Sequence, residues 1–153
     1  MSGLLYHGQD RILLQLLYDL ELAVEPAPPS YSEWTGYYSL HPDAPDNSLA
    51  VFSTENRLFG RTHLDGEIQQ QYGFMLRLRS NGEAGYARGS LIVDSLSQVV
   101  RRTVTIDSRD YLIQCVNFTG GVIPLGPELG GRRKLWSLNG MLALRMQLSG
   151  TGT

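Results

Sequence analysis

The side chains best suited to chemistry in this 153-residue chain are three histidines, one cysteine and a scatter of carboxylates and arginines. His7, His41 and His63 have no second histidine or cysteine at ligand spacing, so a zinc site has no ligand set to start from. His41 opens the run His41-Pro-Asp-Ala-Pro-Asp-Asn-Ser48, where an imidazole near Asp43 and Asp46 could hold a cation or pass a proton. The same run is dense in turn formers, and an exposed turn is the commoner use of that composition. Cys115 lies inside an alternating apolar segment and reads as a small core residue rather than a nucleophile. As the only cysteine it excludes an internal disulfide. The run Gly120-Gly-Val-Ile-Pro-Leu-Gly-Pro-Glu-Leu-Gly-Gly131 is glycine-rich, yet it lacks the G-x-G-x-x-G order and the Gly-Lys-Ser/Thr ending that cradle phosphates. No G-x-S-x-G elbow or Ser-x-x-Lys pair occurs either. The chain therefore nominates no catalytic set, no metal site and no cofactor.

Charge is more informative. The formal net charge of -2 hides seven acids against Arg11 in residues 1–50, a net of -6, which leaves +4 for the remainder. Opposed regions of this kind can attract one another between copies of the chain, or can simply be solvated surface. Of thirteen basic residues only Lys134 is a lysine. The planar arginine fork suits directional pairing with carboxylates or phosphates, and so suits interfaces. Arg101, Arg102, Arg132 and Arg133 are the candidate subunit-interface residues. A pI of about 5.9 argues against a sequence-specific DNA reader, although non-specific, transient contact with DNA needs only a few arginines.

Periodicity gives the elements that must position these groups. Leu13, Leu16, Leu17 and Leu20 predict a helix over 9–23 that ends before Pro26. Residues 35–80 read as strand-rich, with a loop over 54–67 where alternation fails. A second helix is expected over 83–101, with Ile92, Leu96, Val99 and Val100 on its inner face and Gly85 and Gly89 where another backbone comes close. Strands follow over 103–148. In the last of them Leu138, Leu142, Leu144 and Met146 are the predicted core, and in its partner Leu112, Val116 and Phe118 point inward. The expectation is one α+β domain over 1–153: a single-layer, mainly antiparallel β-sheet with two helices packed on one face. No apolar run reaches the length of a membrane span and no signal peptide is evident, so a soluble protein made in the cytoplasm is expected.

Two motifs resemble a known family. His41-Pro-Asp-Ala-Pro-Asp-Asn-Ser-Leu-Ala-Val-Phe-Ser-Thr54 looks like the sheet-opening segment of the tail terminator or minor capsid (neck) proteins of long-tailed double-stranded DNA bacteriophages. Ile123-Pro-Leu-Gly-Pro-Glu-Leu-Gly-Gly-Arg-Arg-Lys-Leu-Trp-Ser-Leu-Asn139 is similar to that family's loop and last strand. With the order of elements between them, the resemblance covers roughly residues 35–148. Pro127 and Gly140 depart from it, falling where a charged and a large residue are usual. The resemblance implies a structural virion protein rather than an enzyme: a ring, usually hexameric, on the head-proximal end of the tail. It would contact the tail tube protein and the head-closure or connector protein, with genomic DNA passing through its lumen. Gly121, Ile123, Pro124, Leu125 and Glu128 then form the candidate contact loop toward tube or connector. A head-closure (neck adaptor) role, and a small-ligand-binding domain or enzyme built on the His41 loop, are the alternatives.

Overall fold

The computed structural model describes residues 6–62, 67–128 and 131–147, and the side chains of these residues other than 56–62, 67–70, 146 and 147. Helix α1 (Gln9–Asp19) leads to strand β1 (Thr35–Tyr38) and the long strands β2 (Ser48–Thr62) and β3 (Glu67–Asn81). Helix α2 (Ala84–Leu96) follows, then β4 (Arg102–Ile106), β5 (Arg109–Phe118), β6 (Ile123–Pro127) and β7 (Arg133–Gln147). The sheet order is β1-β2-β3-β7-β5-β4, with β6 continuing beside β7 where β5 leaves it. The α+β class holds. The sheet, however, is mixed and curls into a half-barrel, because β1 runs parallel to β2 and the remaining pairs are antiparallel.

The curl follows from what fills it. On β3 and β7 the even-numbered residues Phe74, Leu76, Leu78, Trp136, Leu138, Leu142 and Leu144 face inward and are at most 3% exposed. Helix α1 lies against β2 and β3 and also touches β1 and β4, the two ends of the sheet order, so the strands wrap around its leucines. Its apolar face is broad, with Ile12, Leu13, Leu14, Leu16 and Leu17 all buried, while Arg11, Gln15 and Asp19 form the polar face. Glycines let β7 and α2 come close. Gly140 is flanked in register by Phe74 and Phe118, whose rings meet edge to face 5.7 Å apart. A Cβ at Gly140 would lie 2.8 Å from the Phe74 ring, so the large residue usual there in the resembled family has no room. Gly85 and Gly89 make room on α2 for the side chains of Trp136 and Val122, rather than for the backbone expected there.

Several boundaries differ from expectation, each for a local reason. Helix α1 stops at Asp19 because Glu21 takes a left-handed conformation (φ 60). The Leu22 amide then donates to the Leu17 carbonyl and the Glu21 amide to that of Tyr18, a Schellman closure without the usual glycine. Helix α2 ends at Leu96, and Val100, expected on its inner face, is 71% exposed beyond it. The loop expected over 54–67 is largely ladder, since β2 runs to Thr62 and pairs with β3. Register shifts between Ser53 and Asn56 and between Leu58 and Gly60 break the alternation that would have revealed it. The Gln9 amide, itself buried, donates to the carbonyls of Thr54 and Gly73 at the first of these shifts. Another shift, between Ile113 and Cys115, moves the inward face of β5, so that Tyr111 and Ile113 are buried in place of the expected Leu112. Cys115 is consequently only half-buried. Of the four predicted core residues of β7, Leu138, Leu142 and Leu144 are buried, and the Met146 side chain lies outside the described residues.

Leu144→Ala should destabilise the fold by roughly 2 to 5 kcal/mol, because it opens a cavity in a core with little room to collapse. Val100→Ala should change stability by less than about 0.5 kcal/mol. Urea midpoints that shift equally for the two variants would show that the inner face has been misassigned.

Candidate functional site

The polar residues singled out by the sequence converge on the outer face of the sheet. The connection 39–47 joins the parallel strands β1 and β2 and crosses that outer face. There the His41 Nε2 lies 2.9 Å from the Ser48 hydroxyl, and the Tyr37 hydroxyl donates to the Ala44 carbonyl. Ser48 is paired in register with Arg79, which is 2% exposed although it is an arginine on the outer side of β3. The guanidinium of Arg79 donates to the Pro45 carbonyl at 2.7 Å and faces the Glu128 carboxylate at 3.8 Å.

Arg133 ties the two motif segments together across 90 residues. Its guanidinium donates to the Asp43 carboxylate at 2.5 Å, the Asp43 carbonyl at 2.7 Å, Asp46 at 3.2 Å and Glu128 at 2.7 Å. Every face of its donor fork is engaged, an arrangement lysine cannot reproduce. Asp43 is held below the usual carboxylate range chiefly by its hydrogen bond from Arg133. Asp46 is lowered first by the Asn81 amide and then by Arg132 and Arg133. Arg132 donates to both oxygens of Asp46 at 3.2 Å but remains 75% exposed. Lys134 reaches Glu83 at 2.7 Å on the solvent side.

Backbone geometry completes the clamp. The Glu128 amide donates to the Arg133 carbonyl, closing a hairpin in which β6 pairs with β7 from Ile123 opposite Ser137 to Pro127 opposite Lys134. The glycine-rich segment expected as a loop is therefore in large part an edge strand. Its bulge between Pro124 and Gly126 accommodates the left-handed conformation of Gly126 (φ 89). Ile123, Pro124 and Leu125 are exposed, as is Gly121 just before the strand, whereas Glu128 is half-buried in the clamp.

Chemically, the cluster stores charge rather than offering reactive groups. Burial above all, then the positive field of Arg79, Arg77 and Arg133, pushes His41 down to about 3. Such an imidazole is neutral at pH 7 and a weak base, poorly matched to proton transfer near neutrality. Both carboxylates of the His41 loop accept from arginines. Among the described residues no group of three His, Cys, Asp or Glu side chains could hold a metal ion. The Nε atoms of Arg77 and Arg79 and the Nδ1 of His41 are buried without a hydrogen-bond partner, which is costly, on the order of 1 to 3 kcal/mol each.

Not all candidates meet here. Arg101 and Arg102 lie where α2 leads into β4, the last strand of the sheet order, apart from Arg132 and Arg133 at the start of β7. Arg79 and Asn81, which periodicity and composition do not single out, take part in the cluster. A hint was available: two arginines alternating on a strand, in a chain whose preceding turn carries two aspartates. Comparison of the chain with protein-family models finds no match, and comparison with curated proteins finds none with significant similarity.

Because His41 stays neutral in the fold but binds a proton in the unfolded chain near pH 6.5, its contribution is complete above that pH. It is lost progressively as pH falls toward about 3, at up to roughly 1.4 kcal/mol per pH unit. Urea midpoints of the parent should therefore fall more steeply between about pH 7 and pH 5 than those of His41→Asn. Parallel profiles would mean that the imidazole titrates normally in the folded protein.

Proposed function

We propose that the protein is a structural virion component of a long-tailed double-stranded DNA phage, a tail terminator. It forms a ring on the head-proximal end of the tail tube, ends tube growth and offers the surface to which the head connector docks. One observation carries this reading. The two segments that resemble the family, 41–54 and 123–139, meet in a single ion-pair cluster, and that cluster fixes an exposed apolar edge: Ile123 at 44% and Leu125 at 50% exposure. An edge already held against β7 has little conformational freedom left to lose on binding, which favours a docking role over a solvated tether. Pro124 and Pro127 withhold backbone donors, so indiscriminate strand pairing is disfavoured and recognition falls to the side chains. Arg101, Arg102, Arg109 and Arg132, exposed among the described side chains, are compatible with a lumen through which DNA passes, contacting phosphates without reading sequence.

The neighbouring reading is a head-closure adaptor, which would use the same edge toward a different partner. A ligand-binding or enzymatic role for the His41 loop is supported less well, since its carboxylates are engaged and its imidazole is a weak base.

The test is Ile123→Ser with Leu125→Ser, which leaves the Glu128 to Arg133 clamp intact. The variant protein should keep the parent's thermal stability, while particles carrying it should have overlong tails or tails that fail to join heads. Normal tail length and normal joining would overturn the reading. Retained binding to tail tube protein with lost binding to the connector would favour the adaptor instead.

A further inference from the structure

The cluster on the outer face changes which charges remain for contact between copies of the chain. Asp43, Asp46, Arg132 and Arg133 pair with one another within the chain, so part of its uneven charge is already matched internally. Three of the five other acids of residues 1–50 gather at the end of α1. There Asp19, Glu21 and Glu25 border a groove of about 690 Å³ whose apolar lining includes Ala23, Val24 and Pro26. Val24 is 45% exposed in it. No ion pair to these three carboxylates is found among the described residues, and burial first, then the charge of Glu25, pushes the Tyr18 hydroxyl up to about 12.

A complementary shape stands at the other helix. After α2 the chain turns through Val100, 71% exposed, to Arg101 and Arg102, both exposed and without a carboxylate partner among the described residues. The left-handed backbone of Arg101 (φ 50) and the hydrogen bond from its amide to the Gln114 carbonyl fix this corner. An exposed apolar side chain followed by two exposed arginines therefore stands at this corner, and the groove is lined by apolar side chains and three carboxylates.

We infer that the corner 100–102 of one copy seats in the groove at the end of α1 of the next copy. Val100 meets Val24 and its apolar neighbours, and Arg101 and Arg102 pair with Asp19, Glu21 and Glu25. The two surfaces are different patches of one chain, so the contact is heterologous and propagates head to tail, closing into a ring when the rotation allows. Several charges acting together across a partly apolar contact set register and suppress wrong partners more than isolated surface pairs do. This inference rests on the ring-forming reading above and names its interface.

Two charge-reversed chains test it: one carrying Arg101→Glu with Arg102→Glu, the other Glu21→Arg with Glu25→Arg. All four positions are solvent-facing, so each chain should melt within a few degrees of the parent. Light scattering should find the parent associated, with association weakened roughly tenfold or more in high salt, and each variant alone monomeric. An equimolar mixture of the two variants should associate again, since each corner then finds a groove of opposite sign. A parent that stays monomeric overturns the inference, as do variants that associate like the parent or a mixture that does not recover. The tail-terminator reading is judged separately, by whether the parent binds tail tube protein and limits tube length. Variants that stay associated while the parent caps tubes would remove this interface and leave that function standing.

Discussion

A sheet that curls must have its hollow filled, and most of this structure answers to that constraint. Helix α1 supplies the filling with five leucine or isoleucine side chains that are essentially inaccessible to water. It touches both ends of the sheet order, so it sets how far the curl goes. Its first turn is fastened on both sides. Asp10 accepts from the Ser39 hydroxyl beyond β1, while His7 reaches Tyr111 at 2.6 Å and Asp107 at 3.1 Å on the β4–β5 side. Gln9 between them satisfies carbonyls at the register shift of β2. Burial of that many aliphatic groups, at about 1.5 to 3 kcal/mol each, outweighs the absence of a side-chain cap at Gly8 and the short length of the helix.

The outer face obeys a different rule. Burying arginine is unfavourable unless its donors are matched, and here the connection 39–47 and the hairpin of β6 and β7 provide acceptors for the whole fork of Arg133 and for part of that of Arg79. Geometry rather than net stability is what such a cluster contributes most plainly. It fixes a nine-residue crossing without a helix and ties the edge strand to a rigid support. Four arginines lie in or beside this cluster, Arg77 among them, against three carboxylates, and that imbalance adds to burial, the larger cause, in keeping His41 unprotonated.

These two layers divide the protein's work. The inner layer makes a rigid wall, with β7 paired along its length to β3 on one side and to β5 and then β6 on the other. The outer layer and the helix ends carry what a partner would touch: an apolar edge at Ile123 and Leu125, a projecting corner at Val100, and an acidic groove at the end of α1. The proposed role as an assembly component would draw on such a wall for orientation between neighbours rather than on any reactive group.

Sequence alone determined what depends on local period and composition. The leucine stripe of α1, the alternation of β3 and β7, the need for small residues at Gly85 and Gly89 and the α+β class were legible because each is written within one segment, although what packs against those glycines is side chain rather than backbone. Tertiary structure decided whatever pairs distant segments or breaks a period. Register shifts hid the extension of β2 and reversed the inward face of β5, since one extra residue moves every following side chain to the other side. Glu21 ended α1 in a conformation usually left to glycine, with the buried Leu22 and Leu17 making it favourable. The meeting of Asp43 with Arg133 lies 90 residues apart, and no local pattern encodes a contact whose partners are brought together only when the sheet has curled.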